Sequence, residues 1–495
     1  MASLTVELAQ LEEAQLIRRL LDEELAYVFK HALTQEMAAQ SLLYKTRRTI
    51  HRRVAETYEQ LYGENLDKYI ALLAEHYWQG EVWDKTAEYA LRAGEQAMRG
   101  YALREALAQY ERALDALHQI QAAPEQIIDA TLGWVRPAIK LEPYAELLER
   151  LARVEEMARE CGDKRRLAEI MHRIANVHFA NGYPTRAVPA LFENYQLATE
   201  LGDEQLSIVP SYWLAFFMVD RDLPGALAQF EKVTELARKH KNYEIETYAI
   251  VTQALAHARL GHFVQARQEI QQALEILETV HSPMGQADVV MLAGYTFLEM
   301  GELKPALEYT QQGAEKAKRA NIFECEVASL LGVGYCQLQG NALSDAQHTF
   351  DESVRLAESL GSDNLRHQAR AGLAVAHFLN RQDNAVPEME SALADSQAFG
   401  DGYNAAFLSQ MLGEAYTLRD PARAERYFND ALDFYRRNEM RPYLARALQS
   451  AAVLYEKEGR GAEAVRARDQ AEALMKELGV ESMAPLASDE VQVAP

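Results

Sequence analysis

The sequence predicts an all-α solenoid of about ten stacked helix pairs, each about 40 residues long. Three observations carry that prediction. First, an alanine recurs at Ala106, Ala145, Ala187, Ala226, Ala266, Ala306, Ala346, Ala385, Ala424 and Ala464, in steps of 39, 42, 39, 40, 40, 40, 39, 39 and 40 residues. Second, most of these alanines open a segment with a bulkier side chain four residues on and a small one seven on. Ala106, Tyr110 and Ala113 fit, as do Ala266, Ile270 and Ala273, while Ala145, Glu149 and Ala152 fit only in part. Third, glycine and proline are sparse, at 25 and 14 in 495 residues, so helices run long before a breaker ends them.

In chain order, residues 1–62 do not follow the repeat and form a helical junction, residues 63–480 form the solenoid, and residues 481–495 form a disordered tail. The junction carries a basic run of Lys45, Arg47, Arg48, Arg52 and Arg53 with His51 among them. On a helix, Lys45, Arg48 and Arg52 share a face. That face reads either as a phosphate or acidic-partner contact or as a solvated surface pairing with the acidic remainder of the chain.

Within the solenoid each period divides in two. VTQALAHARLGHFVQARQEIQQALEILE is a helix, a tight turn at Gly261-His262, then a second helix. The same turn recurs at Gly301-Glu302, Gly340-Asn341 and Gly459-Arg460, and Gln382-Asp383 holds the place without glycine. A second stop follows each pair, as in LGD at 201–203, LGSD at 360–363 and FGD at 399–401. Glycine ends one helix there, and Asp or Ser caps the next. The recurring alanine lets the second helix seat closely on the first. Residues 207–218, SIVPSYWLAFFM, are the most apolar window. Pro210 kinks or starts that helix. Trp213, Phe216 and Phe217 are either core between stacked repeats or the wall of a ligand pocket.

Composition narrows function. Acidic residues outnumber basic ones 74 to 51, a net charge of −23, which repels nucleic acid and anionic membrane. No apolar stretch is long enough to span a bilayer. The three cysteines, Cys161, Cys325 and Cys336, are too scattered for a disulfide framework or a zinc site, and point to the cytoplasm. His172 and His178 are six apart and His257 and His262 five apart, neither being the spacing of a helical zinc pair. No G-x-S-x-G, G-x-G-x-x-G or H-E-x-x-H is present. The expectation is no catalytic set, no metal and no cofactor.

The segment MLGEAYTLRDPARAERYFNDAL, with Leu412, Gly413, Tyr416, Ala424, Phe428 and Ala431, resembles the tetratricopeptide repeat. The longer period here resembles the sensor domains of signal-transduction NTPases and the repeats of bacterial peptide receptors, over roughly residues 66–480. Residues 5–62 resemble the junction of large bacterial signalling proteins. The likeness lies in Leu8 to Arg19, Tyr27 to Leu33, Ser41-Leu42-Leu43 and His51-Arg52-Arg53. In those proteins a nucleotide cyclase or other signalling domain precedes an AAA-like or STAND-type NTPase, and a winged-helix-like region leads into the repeats. No P-loop is present: Lys45-Thr46 and Lys85-Thr86 lack the glycine loop that cradles phosphate, so NTPase activity does not carry over. The chain reads as the C-terminal arm of such a protein.

The resemblance implies a right-handed superhelix whose first helices line a concave groove. Counting back from each turn places His172, Arg173, Asn176, Tyr212, Tyr248, Tyr295, Tyr335, His367, Arg370 and His377 near it. His172 and Asn176 resemble the first two positions of a carboxylate clamp for C-terminal peptides. Tyr212, Tyr248 and Thr252 depart from its other positions. The expected function is a non-enzymatic scaffold or sensor that binds a protein or peptide in the groove. The alternative is a regulatory arm acting in cis or trans on an NTPase or nucleotide cyclase, which requires an exposed apolar face in residues 5–62. A nucleic-acid role through Arg47 to Arg53 is a third, disfavoured by the net charge.

Overall fold

A computed structural model of the chain describes residues 2–19, 27–63, 65–180, 184–219 and 222–479. The expected disordered tail, residues 481–495, lies outside them. The chain opens with α1 (Ala2–Glu13), a hairpin of β1 (Ile17–Arg19) and β2 (Tyr27–Phe29), α2 (Ala32–Ser41), α3 (Tyr44–Tyr62) and α4 (Ile70–Gln79). The hairpin is the one departure from an all-α chain among the described residues. Ile17 pairs antiparallel with Phe29 and Arg19 with Tyr27.

Ten helix pairs follow among the described residues. The first two are α5 (Trp83–Arg99) with α6 (Leu103–Gln119), and α7 (Pro124–Ala138) with α8 (Tyr144–Cys161). Next come α9 (Lys164–Ala180) with α10 (Pro184–Leu201), α11 (Glu204–Met218) with α12 (Leu223–Lys239), and α13 (Tyr243–Leu260) with α14 (Phe263–Leu277). Then come α15 (Pro283–Glu299) with α16 (Leu303–Arg319), α17 (Phe323–Gln339) with α18 (Leu343–Ser359), and α19 (Asp363–Leu379) with α20 (Ala385–Phe399). The last are α21 (Gly402–Tyr416) with α22 (Pro421–Arg437), and α23 (Arg441–Lys457) with α24 (Gly461–Leu478). The chain divides into two compact units, residues 1–166 and residues 167 onward. No described helix is long and apolar enough to cross a membrane.

Nine of the ten register alanines are at most 2% exposed. Ala145 is the exception. It is exposed, and the fully buried Leu147 takes its seat, so the steps around it become 41 and 40 residues. The wider side chain fits because α8 buries a leucine face, Leu147 and Leu151, rather than a small-residue face. Two turns also differ from expectation. At 340–341 the left-handed residue is Asn341 (φ 58°), and near 382 it is Arg381 (φ 61°). Asp203, Ser362 and Asp401 each accept a backbone N–H at the start of the following helix, as their positions predict. Pro210 lies inside α11, which starts at Glu204.

In several pairs the packing turns on the residue four after the alanine. Phe350 on α18 sits against Gly334 of its own pair and Gly372 of the next, leaving no room for a Cβ at either glycine. Thr310 sits likewise between Gly294 and Gly332, and Tyr110 between Gly94 and Gly133. A Cβ on Gly294 would come within 2.8 Å of the Thr310 backbone nitrogen, so neither side chain nor rotamer can yield. In the second unit the stack also curls. Tyr403 of α21 and Tyr443 of α23 both donate hydrogen bonds to Glu299 at the end of α15.

Gly294→Ala should therefore lower unfolding stability by about 1–3 kcal/mol, although alanine favours helix. Gly461→Ala, with nothing within 4 Å of its Cβ position, should be neutral or slightly stabilising. Equal denaturant midpoints for the two variants would contradict this packing.

Candidate functional site

The first helices of successive pairs in the second unit enclose a cavity of about 370 Å³. Its walls fall into three zones. Phe179 of α9 and Trp213, Phe216 and Phe217 of α11 form an aromatic end. Phe179 stands 4.4 Å from Trp213 and 5.4 Å from Phe217, centroid to centroid. The middle is apolar, from Leu255, Leu292 and Leu331, with Tyr295, Tyr335 and Arg259. The far end is polar, from Asn364 and Gln368 of α19 with Asp401, Tyr403 and Asn404. Asn364 and Gln368 are one helical turn apart, and neither side-chain amide makes a hydrogen bond among the described residues.

Polar groups in and behind the walls are tied by the period of the repeat. Arg259 Nε donates to Glu299 at 3.1 Å, Tyr248 to Asp288 at 2.8 Å, and Tyr403 and Tyr443 share a 2.5 Å bond. Tyr212 and Thr252 stand 3.3 Å apart. In each case the partners are 40 residues apart, so equivalent positions of neighbouring first helices bond to each other. Arg259 and Glu299 are both nearly buried, at 12% and 5% exposure, and the guanidinium also lies 4.3 Å from the Tyr403 ring centre. A desolvated ion pair is stable only with such further partners. At the polar end, Asp401 accepts from Asn404 Nδ2 at 2.7 Å and lies 3.1 Å from His367 Nε2. Burial alone would raise its pKa. The hydrogen bonds from His367 and Asn404 outweigh burial and hold it below the usual carboxylate range, so it faces the cavity as an anion.

No family model matches the sequence. Tetratricopeptide repeat protein 29 of Trypanosoma brucei brucei is 29% identical over 153 residues, which span 29% of this chain and 31% of that protein. The chain is a solenoid of helix pairs similar to those of tetratricopeptide repeats. Among solved structures, a Rap protein complexed with competence and sporulation factor is 12% identical, covering 79% of this chain and 98% of its own, at a TM-score of 0.48. A signal-transduction ATPase with a tetratricopeptide repeat sensor from Pyrococcus horikoshii is 16% identical, covering 87% of this chain and 58% of its own, at a TM-score of 0.40.

Of the ten groove residues read from the tetratricopeptide pattern, Tyr295 and Tyr335 line the cavity. Both are also packed: Tyr295 donates to the Ala328 carbonyl at 2.7 Å, and Tyr335 lies edge-on to Phe350. His367 stands one residue behind the wall, stacked on Phe399 and bonded to Asp401. Tyr212 is buried in the core, and Tyr248 is turned to Asp288. Arg370 and His377 point elsewhere, toward Asp395 and Glu388. His172, Arg173 and Asn176 are not among the lining residues, and His172 and Asn176 bond to each other at 3.1 Å. Pattern counting placed its residues on helices that border the cavity, but mostly on other turns of them. It missed Asn364, Gln368 and Asn404, which repeat nothing, and Arg259 and Glu299, whose 40-residue spacing was the available signal. Trp213, Phe216 and Phe217 line the cavity, and Trp213 packs on the core as well.

Among the described residues no three ligating side chains gather as a metal site. Cys325 and Cys336 are buried thiols, the latter pushed up to about 12 by burial, so neither is a nucleophile near neutral pH. His172 is held neutral: burial, then the nearby Arg173 charge, lowers its pKa from 6.5 to about 4. As pH falls below 6.5 the unfolded chain takes up a proton that the folded chain refuses. Stability should therefore fall with pH between 6.5 and about 4, by up to about 1.4 kcal/mol per pH unit, relative to His172→Gln. Parallel stability curves for parent and variant would show that His172 is not so buried.

Proposed function

We propose that the second unit is a non-enzymatic receptor for an extended peptide segment, either free or part of a partner protein. The observation that carries this reading is the pair of unengaged amides, Asn364 and Gln368, facing an otherwise apolar and aromatic cavity. Each amide offers both a donor and an acceptor, which suits the alternating N–H and C=O groups of an extended backbone. The aromatic end of Phe179, Trp213, Phe216 and Phe217 suits an apolar side chain, and the Asp401 carboxylate suits a cationic group at the other end. A volume of about 370 Å³ lies in the lower part of the usual range for binding pockets, so a few residues of the segment enter it. A protein or peptide partner in the cytoplasm fits this reading.

A second reading, a regulatory arm for an NTPase or nucleotide cyclase, is favoured by one observation. Leu33, Met37, Leu43 and Leu61, all within residues 5–62, are 60–78% exposed. Nothing in the cavity bears on it.

The test selects peptides from a random library against the full chain and titrates them against Asn364→Ala with Gln368→Ala. The double variant should keep its melting temperature and bind roughly 10- to 30-fold more weakly, from about 1 kcal/mol for each lost hydrogen bond. Unchanged affinity would place the binding site elsewhere and refute the cavity reading.

A further inference from the structure

The first unit carries an exposed helix face with a pattern of its own. On α3, Arg47, Ile50, Val54, Thr57 and Leu61 alternate spacings of three and four, with Leu43 four residues before them. That is the seam spacing of two paired helices. The opposite side of α3 is already used, since Ala55 is fully buried in the cluster with Ile70, Leu73 and Tyr77 of α4. The seam itself is turned outward: Leu43 is 78% exposed, Ile50 45% and Leu61 69%. Ile50, Arg53, Val54, Thr57 and Leu61 line one shallow groove, edged by Tyr58 and Tyr62.

The rim of this groove is cationic. Arg48 is paired with Glu81 at 2.6 Å. Lys45, Arg48 and Arg52 lie on the far side of the helix, so the rim is Arg53, which lines the groove and makes no ion pair among the described residues, and Arg47, whose Nε is buried without a hydrogen-bond partner. The acidic residues on the same helix do little to offset them. Glu59 is engaged by Lys85 and Tyr89, which leaves Glu56. The chain as a whole carries −23, so two arginines without an ion pair, Arg47 and Arg53, one on each side of an apolar seam, run against its surroundings.

We propose that the α3 face docks an amphipathic helix of a partner protein, one with an apolar stripe flanked by acidic residues. The charge of the rim selects the acidic flanks, and the seam spacing selects a helix. A phosphate backbone would satisfy the arginines but leave Ile50, Val54 and Leu61 facing water. A second copy of α3 would set arginine against arginine. The proposal is independent of what the cavity of the second unit takes.

The test titrates the full chain by fluorescence anisotropy with two synthetic helical peptides of about three heptads, both with Leu and Ile at the seam positions. One carries Glu at the flanking positions and the other Lys. The Glu peptide should bind and the Lys peptide should not. Ile50→Asp with Leu61→Asp, both at exposed positions, should keep its circular dichroism spectrum and weaken the Glu peptide by about tenfold or more. Arg53→Glu should weaken the Glu peptide and shift the preference toward the Lys peptide, while Arg52→Glu, on the far side of the helix, should leave both unchanged. Absence of binding, or equal binding of both peptides, would overturn the proposal. So would duplex DNA binding in preference to the Glu peptide, or concentration-dependent self-association that the Asp variant abolishes.

Discussion

The structure rests on one steric fit, clearest in three of the ten pairs: a bulky side chain of the second helix lodged between two glycines, one from its own first helix and one from the next. Phe350 between Gly334 and Gly372 shows it most fully, and Thr310 between Gly294 and Gly332 repeats it with a smaller side chain. The fit sets the distance within a pair and the distance between pairs at once. It also explains why the alanine four residues earlier must be small, since a larger residue would lift the second helix off the seat. Where the seat is built differently, as at Leu147, the register shifts by two residues and the stack continues. Because close-packed interiors do not deform continuously, each seat fixes the position of the next pair.

The cavity follows from that spacing. First helices held one repeat apart place equivalent residues within hydrogen-bond reach, and the pairs Tyr248 with Asp288 and Arg259 with Glu299 are the result. These bonds lie along the inner wall and use up most of its polar groups. Glu299 then receives Tyr403 and Tyr443 from helices more than a hundred residues later, which gathers the inner wall of the second unit around a small volume. What remains unengaged on that wall is a short list, chiefly the amides of Asn364 and Gln368 beside an aromatic end. The cavity is thus the part of a repeating wall where the repeat fails to satisfy its own side chains.

Much of the fold was legible in the sequence because it repeats. Ten alanines in register, turns at Gly261, Gly301 and Gly459, and caps at Asp203 and Asp401 are local signals, each reinforced by its copies. The β1–β2 hairpin was not legible, because two three-residue strands leave no periodicity to count. The site was legible only in part. A groove-facing tyrosine and a core tyrosine have the same sequence signature, so Tyr335 and Tyr212 could not be told apart until their neighbours were known. Asn364 and Gln368 carry no pattern at all. Their meaning comes from the absence of a partner, which is a property of the fold and not of the residue.

The most direct test of the central claim is a double-mutant cycle on Gly372 and Phe350, read by denaturant unfolding of the full chain. If Phe350 is seated against Gly372, then Gly372→Ala should be costly alone and much less costly when Phe350→Leu has emptied the seat. The coupling should be about 1 kcal/mol or more. Strict additivity, within about 0.3–0.5 kcal/mol, would mean that the two residues do not share a seat, and the account of the stack would fail with it.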